Sequence, residues 1–439
     1  MSRFVRDSVW VGASTAVSMA SNILGQPILN YFLGPAGRGV LAFVQVVSAM
    51  VFDMVRLGAG QANSYYVAKG ESFWQVVIAD TIYSAIACVA SWTVLAGLAL
   101  WTGHGHPSMG ITWAIALAGM LTPLARIGNA VCNALIGASQ FAQFSQCAMA
   151  GAVAFLAARL LFVPWLGVPG AILADGISLV AATALALRMA LMRYVRFEWP
   201  SPDLVKRLFV YSLSGGPAVL AAIAIQRASI FILFVRAGAN VTGLYAAALA
   251  LIVPLYTLPS IMGNLVQPRS ATMTTETAID QIGLVSRLVL LVSVAGTVVL
   301  ASSARWLLLL FGGRDFTPVA GAFQVVVLCV PLRSLAQVVF SHFSGAGRPG
   351  LQSIAASIAG GVTILLCLIL IPHLGATGAA IADLSGALVL AALAVYWFAR
   401  LRHTTPLTLV APRRSDVARL LTGVRPLFNP IFGPRDIAP

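Results

Sequence analysis

Apolar runs of about 20 residues or more follow one another along nearly the whole chain, and they leave few folds open. Hydrophobic residues fill 59% of the 439 positions and charged residues only 9%, too little charge to cover a soluble domain of that size. Hydrocarbon offers backbone N–H and C=O groups no water, so each spanning segment must be a helix or part of a closed barrel. These runs lack the two-residue alternation of barrel strands. The expected fold is an all-α membrane protein.

About twelve transmembrane helices can be placed, near 8–33, 38–63, 73–101, 108–136, 141–163, 168–192, 208–235, 241–266, 282–311, 317–343, 349–372 and 376–399. Glycine-rich turns separate them, at Gly34-Pro35, Gly137, Gly167–Gly170, Gly312-Gly313, Gly345–Gly350 and Gly375–Gly378 among others. The longest polar break, 193–207, carries Pro200 and Pro202. It divides the chain into an N-terminal six-helix lobe (1–192), a cytoplasmic linker (193–207), a C-terminal six-helix lobe (208–402) and a basic, Pro-rich tail (403–439).

The two lobes carry traces of one ancestor. LGVPGAILAD at 166–175 matches LGATGAAIAD at 374–383 in six of ten positions, 208 residues apart. Pro123/Pro331 and Gly137/Gly345 share that offset, while Gly34/Gly238 and Gly39/Gly243 lie 204 apart. A four-residue insertion or deletion accounts for the difference. Repeats of this kind set the whole architecture. Six helices in each repeat give both the same topology, and so a pseudo-twofold axis along the membrane normal.

The net charge of +14 is not a nucleic-acid signature, because most of it lies in connections and the tail. With the N-terminus inside, 18 Lys and Arg fall on the cytoplasmic side against 4 outside, which makes both termini cytoplasmic. The tail is expected to lie in solvent or along the membrane surface. Five cysteines sit inside apolar runs without CxxC spacing, so neither a disulfide framework nor a zinc site is indicated.

Arginines inside the runs are the functional candidates: Arg56, Arg126, Arg159, Arg227 and Arg333. A guanidinium at membrane depth costs on the order of 3 kcal/mol unless it faces protein or water. Thr122, Arg126, Asn129 and Asn133 share one helical face, and Arg333, Gln337 and Ser341 form the related stripe of the second half. Asn22 and Gln226, next to Arg227, match at the 204 offset. Polar stripes on related helices suggest a cavity between two lobes. Arg126, Arg227 and Arg333 have no acid one turn away on their own helices and are read as cavity cations. Arg56 has Asp53 at i−3, so a cavity role stands beside a structural ion pair. Arg159 reads as structural, through interhelical hydrogen bonding and snorkelling. Asp175 and Asp383 read as acids complementing helix N-termini. Asp53 is the candidate ion-coupling site. More fixed positive than negative charge points to an anionic cargo, and guanidinium suits forked recognition of phosphate.

Several motif matches carry no chemistry. Gly345-Ala-Gly347-Arg-Pro-Gly350 fits G-x-G-x-x-G but follows a membrane helix and contains a proline. His104 and His106 lack a third metal ligand. No Walker A, nucleophile elbow or HExxH sequence occurs, so no enzyme, cofactor or metal is expected.

Asn30-Tyr-Phe-Leu-Gly-Pro-Ala-Gly-Arg-Gly-Val-Leu-Ala42, Gly243-Leu-Tyr-Ala-Ala247, Gly345-Ala-Gly-Arg348 and the LGxxGAAIAD run resemble bacterial polysaccharide and O-antigen flippases. These belong to the multidrug/oligosaccharidyl-lipid/polysaccharide exporter superfamily, and the resemblance spans 1–402. It implies two six-helix lobes in a V, alternating access, and transfer of undecaprenyl-pyrophosphate-linked oligosaccharide from the inner to the outer leaflet of the bacterial cytoplasmic membrane. It also implies service to exopolysaccharide, capsule or O-antigen synthesis, with the lipid-linked glycan, membrane lipids and polysaccharide polymerase or export machinery as partners. Family members hold the pyrophosphate with cavity arginines, a role carried onto Arg126, Arg227 and Arg333. Related lipid II flippases carry two further C-terminal helices, which sets lipid II apart as cargo. A cation-coupled multidrug or small-molecule antiporter of the same superfamily is the alternative, and it would want acids where this chain carries arginines.

Overall fold

The computed structural model describes residues 3–56, 59–105, 121–214, 216–270 and 275–411. The basic tail beyond 411, and much of the run expected at 108–136, lie outside them. Among the described residues the fold is entirely helical, an all-α membrane protein as expected.

The helices are α1 (Arg3–Arg56), α2 (Ala59–Ala68), α3 (Phe73–Gly105), α4 (Thr122–Gly137), α5 (Phe141–Leu166), α6 (Val168–Arg193), α7 (Pro202–Ser214) and α8 (Gly216–Ile252). They continue as α9 (Thr257–Arg269), α10 (Thr275–Ser302), α11 (Ala304–Gly312), α12 (Ala320–Val327), α13 (Cys329–Gly345), α14 (Pro349–Arg402) and α15 (Leu407–Val410). Short 3₁₀ segments at Val253–Tyr256 and Arg314–Val319 link α8 to α9 and α11 to α12.

Three pairs of expected spans are joined by a single residue. Gly34 (φ 61°) breaks α1, Gly238 (φ 83°) breaks α8 and Gly375 (φ 55°) breaks α14. Only glycine takes such angles without a Cβ penalty, so each marks a corner between two spans. Seven described helices are long and apolar enough to cross a membrane, three of them containing one of these corners.

One element departs from expectation. The run expected from 208 starts instead inside α7, which has Pro202 in its first turn and reaches back into the polar break. Leu204 and Leu208 are buried with Ala62, Val76 and Ala79 of α2 and α3. The polar break thus ends in an amphipathic helix, because one stripe of a short helix suffices to dock it.

The chain packs as two compact units. One comprises Met1–Leu251, Ala304–Phe323 and Thr363–Ala382; the other comprises Ile252–Ser303, Gln324–Val362 and Asp383–Pro439. In the first, Phe43 stacks on Phe234 with ring centroids 4.0 Å apart, and Leu29, Leu41, Val44 and Val163 complete one core. A second core gathers Phe73, Trp74, Val131 and Leu135, with the Trp74 indole donating to the Tyr194 carbonyl at 2.6 Å.

The repeat is written into the backbone. Gly167 (φ 59°, ψ −129°) and Gly375 (φ 55°, ψ −126°) adopt one conformation 208 residues apart. The turn after α4 bonds Ala138 N–H to Ala134 O and Gln140 N–H to Leu135 O. The turn after α13 bonds Ala346 N–H to His342 O and Arg348 N–H to Phe343 O. Each bond has its counterpart at the 208 offset. Within the first unit the related glycines also meet. A Cβ on Gly39 would collide with the Ala239 carbonyl, and one on Gly243 with the Pro35 carbonyl. Pro35 and Ala239 are themselves 204 apart, so the contact is self-complementary about a local pseudo-twofold.

In the second unit one residue near the start of the tail is anchored in the core, while His403, Thr405, Pro406 and Val410 around it are exposed. Leu409 is fully buried beside Val289, Phe340 and Phe398, and Arg287 donates to the Thr408 carbonyl at 2.6 Å. Beside it, His342 contacts Ser270 Oγ through Nδ1 (2.8 Å) and Arg402 through Nε2 (2.9 Å), while Ser270 donates to Val266 O. Arg402 can only donate, so Nε2 accepts and His342 is neutral with its proton on Nδ1. Leu409→Ala should lower stability by about 2–4 kcal/mol through the cavity it leaves. Thermal unfolding of the purified protein checks this, and an unchanged midpoint contradicts the docking.

Candidate functional site

The intramembrane arginines fall into a sealed set and an open set. Arg126 is sealed, at 3% exposure. Its Nη2 lies 3.3 Å from Asp80 Oδ1, and its Nε donates to Ser84 Oγ at 2.9 Å. Asn63 donates to the other Asp80 oxygen at 2.9 Å, and the Phe52 ring lies 5.7 Å from the guanidinium. Charge and hydrogen bonds are met inside the helix packing, leaving the pair no open face toward a ligand.

Arg227 is open. Its Nη2 lies 3.5 Å from Asp53 Oδ2, with the two side chains 31% and 29% exposed. The contact joins α1 to α8, beyond the Phe43–Phe234 stack on the same two helices. The candidate phosphate ligand and the candidate coupling acid are therefore one ion pair. Arg333 is 3.8 Å from Asp383 in the second unit and 22% exposed, with the Tyr256 hydroxyl beside it.

These three arginines have no acid one turn away on their own helices, and each takes one from a different helix. Arg159 takes the interhelical part of its expected structural role rather than snorkelling: it is buried at 3.4 Å from Asp175, which also accepts from Gln45 at 2.8 Å. Asp175 and Asp383 thus serve arginines rather than only helix N-termini. Four of the intramembrane arginines are thus matched one to one by acids.

The other expected site residues are dispersed. Asn22 is exposed and donates to the Ser18 carbonyl of its own helix at 2.9 Å. Asn129 is half-buried and accepts from Asn133 at 2.8 Å. Gln337 is exposed, with its amide 3.3 Å from where a Cβ on Gly263 would stand. Arg56 and Gln226 belong to α1 and α8, and their side chains lie outside the described set. Among the described residues no group of three or more His, Cys, Asp or Glu could hold a metal ion.

Arg38 was not expected in the interior. It is buried and donates to Gln26 Oε1 at 2.8 Å, on the helix whose Gly25 admits the Arg159 guanidinium. The missed signal is Pro35, a first-turn proline that starts the second segment of α1 three residues before Arg38.

This arrangement of helices is found in solved transporter structures. An inward-facing multidrug-resistance MATE family transporter of the MOP superfamily superposes with a TM-score of 0.71 at 16% identity, over 88% of this chain and 94% of that one. The lipid II flippase MurJ, in an inward closed conformation, superposes with a TM-score of 0.67 at 10% identity, over 98% of both chains. A MOP superfamily transporter from Pyrococcus furiosus, described as having a binding pocket of reversed polarity, gives 0.62 at 14% identity over 91% and 95%. No family model matches the sequence, and no curated protein does. These likenesses show that the chain shares the all-helical, multi-pass fold of those structures.

Proposed function

We propose that this chain flips an undecaprenyl-pyrophosphate-linked oligosaccharide between membrane leaflets by alternating access, for exopolysaccharide, capsule or O-antigen synthesis. The observation that carries the reading is the partly exposed Arg227–Asp53 pair, with Arg333, 22% exposed, as a second guanidinium. A pyrophosphate and its sugars cannot enter hydrocarbon unaided, and a fork of N–H donors replaces part of their water. Phosphate oxygens would take Arg227 from Asp53, and a proton or sodium ion on Asp53 would release the arginine to them. The setting is the bacterial cytoplasmic membrane, with both termini inside, two six-helix repeats flanking the cavity, and polysaccharide polymerase or export machinery receiving the product.

A cation-coupled antiporter of the same superfamily is supported by the same acids, since Asp53 and Asp383 stand where a proton or sodium ion would bind. Mass spectrometry of polyprenyl-pyrophosphate glycans in a strain lacking the chain separates the two. Complete repeat units should accumulate and surface polysaccharide should be lost. No accumulation, together with new sensitivity to cationic drugs, would establish the antiporter instead. In the flippase, Arg227→Ala and Arg333→Ala should each reduce export at least tenfold with normal membrane insertion. Arg227→Lys, which keeps the charge and loses the fork, should retain part of it. Wild-type export from the double alanine variant would remove the arginines from the mechanism.

A further inference from the structure

The structure also holds a cavity away from the arginine pairs, between α2 and α7. It measures about 430 Å³, opens to the surface, and is lined by Tyr66, Asp203, Lys206, Arg207, Val210 and Tyr211. We propose that it seats the phosphodiester headgroup of an anionic membrane lipid.

Charge is the first argument. Arg207 is strapped between Asp203 (2.9 Å) and Glu71 (3.1 Å), which fixes its guanidinium while leaving N–H donors to spare. Lys206 on the cavity wall has no acid partner among the described residues. Lys69 stands over the Tyr65 ring at 4.7 Å. On the cavity lining itself two cations, Lys206 and Arg207, face one carboxylate, Asp203, an excess of one positive charge that a single phosphodiester would match. Tyr65, Tyr66 and Tyr211 form one aromatic group, with centroids 5.2 to 6.1 Å apart, that stiffens the wall.

Position is the second argument, and it favours a lipid over a soluble phosphate. The inward stripe of α7 is already used by Leu204 and Leu208. Lys206, Phe209 and Val210 share another stripe, at i, i+3 and i+4, and all three are exposed. Just upstream, the non-helical stretch after α6 exposes Val195, Phe197 and Trp199, interleaved with Arg196 and Glu198. Exposed apolar and aromatic side chains interleaved with charged ones at the end of a membrane helix belong at the water–lipid boundary. Phe209 and Val210 give acyl chains a seat beside the same cavity that receives the headgroup.

The test uses the full chain in nanodiscs and native mass spectrometry. Phosphatidylglycerol should be retained over phosphatidylcholine, and Lys206→Glu should lower that preference about tenfold with an unchanged unfolding midpoint. Arg400→Glu, a charge reversal at an exposed arginine in the second unit, should leave it intact. An equal loss from both variants would mean general surface charge and overturn the site. Unchanged preference in Lys206→Glu would overturn it too. So would displacement of the lipid by millimolar glycerol phosphate, which would make the cavity a soluble-anion site.

Discussion

Gly39→Ala should be among the most damaging single-methyl additions in this chain, costing about 3 kcal/mol or preventing accumulation of folded protein. The added Cβ would meet the Ala239 carbonyl and stand 2.9 Å from Gly243 N. Overpacking ordinarily costs about 1–3 kcal/mol because side chains shift aside. Here the obstacle is backbone, held by helical hydrogen bonds on both sides, so the upper end applies. Gly243→Ala should cost a similar amount, since its Cβ would strike the Pro35 carbonyl and stand 2.7 Å from Gly39 N. Gly12→Ala is the control: nothing lies within 4 Å of its Cβ position, and the helix should gain about 0.5–1 kcal/mol. Thermal unfolding in detergent ranks the three, and a harmless Gly39→Ala would contradict the helix crossing.

Breaking the Arg126–Asp80 pair should cost about 3–5 kcal/mol, because either single replacement leaves a charge buried without its partner. Arg126→Met strands Asp80, still bonded to Asn63; Asp80→Asn strands the guanidinium beside Ser84. Combining the two removes both charges and should recover most of the loss, as buried pairs exchanged for neutral groups often do. The cycle separates a structural pair from a cargo ligand. Recovery of stability together with recovery of export assigns the pair to folding. Recovered stability without export would return Arg126 to the transport path.

The helices were legible because lipid removes every alternative to internal hydrogen bonding, so length and apolarity decide them. The corners were legible too: Gly34, Gly167, Gly238 and Gly375 are repeat positions, and all four take positive φ. The acids opposite the arginines were not. Asp80 lies 46 residues from Arg126 and Asp53 lies 174 from Arg227, and periodicity on one helix says nothing about which helix packs against it. The docking of Leu409 escaped notice for the same reason, since a four-residue helix leaves almost no period to read.

The Gly39–Gly243 contact also speaks to history. A self-complementary meeting of two copies of one sequence is what a homodimer makes, and an even number of helices per copy would have set two such chains parallel in one membrane. On that view the crossing is older than the fusion of the halves, and fusion freed each copy to diverge. The Asp53–Arg227 pair bears the mark of that freedom. Its mirror positions, 204 residues on and back, hold Thr257 and Ile23, which form no ion pair. The mirror of Phe43 and Phe234 is Ala247 and Asn30. One side of an ancestral symmetry kept the glycines it needed to assemble, while the other chemistry arose in a single copy, where a duplicated gene can afford to be asymmetric.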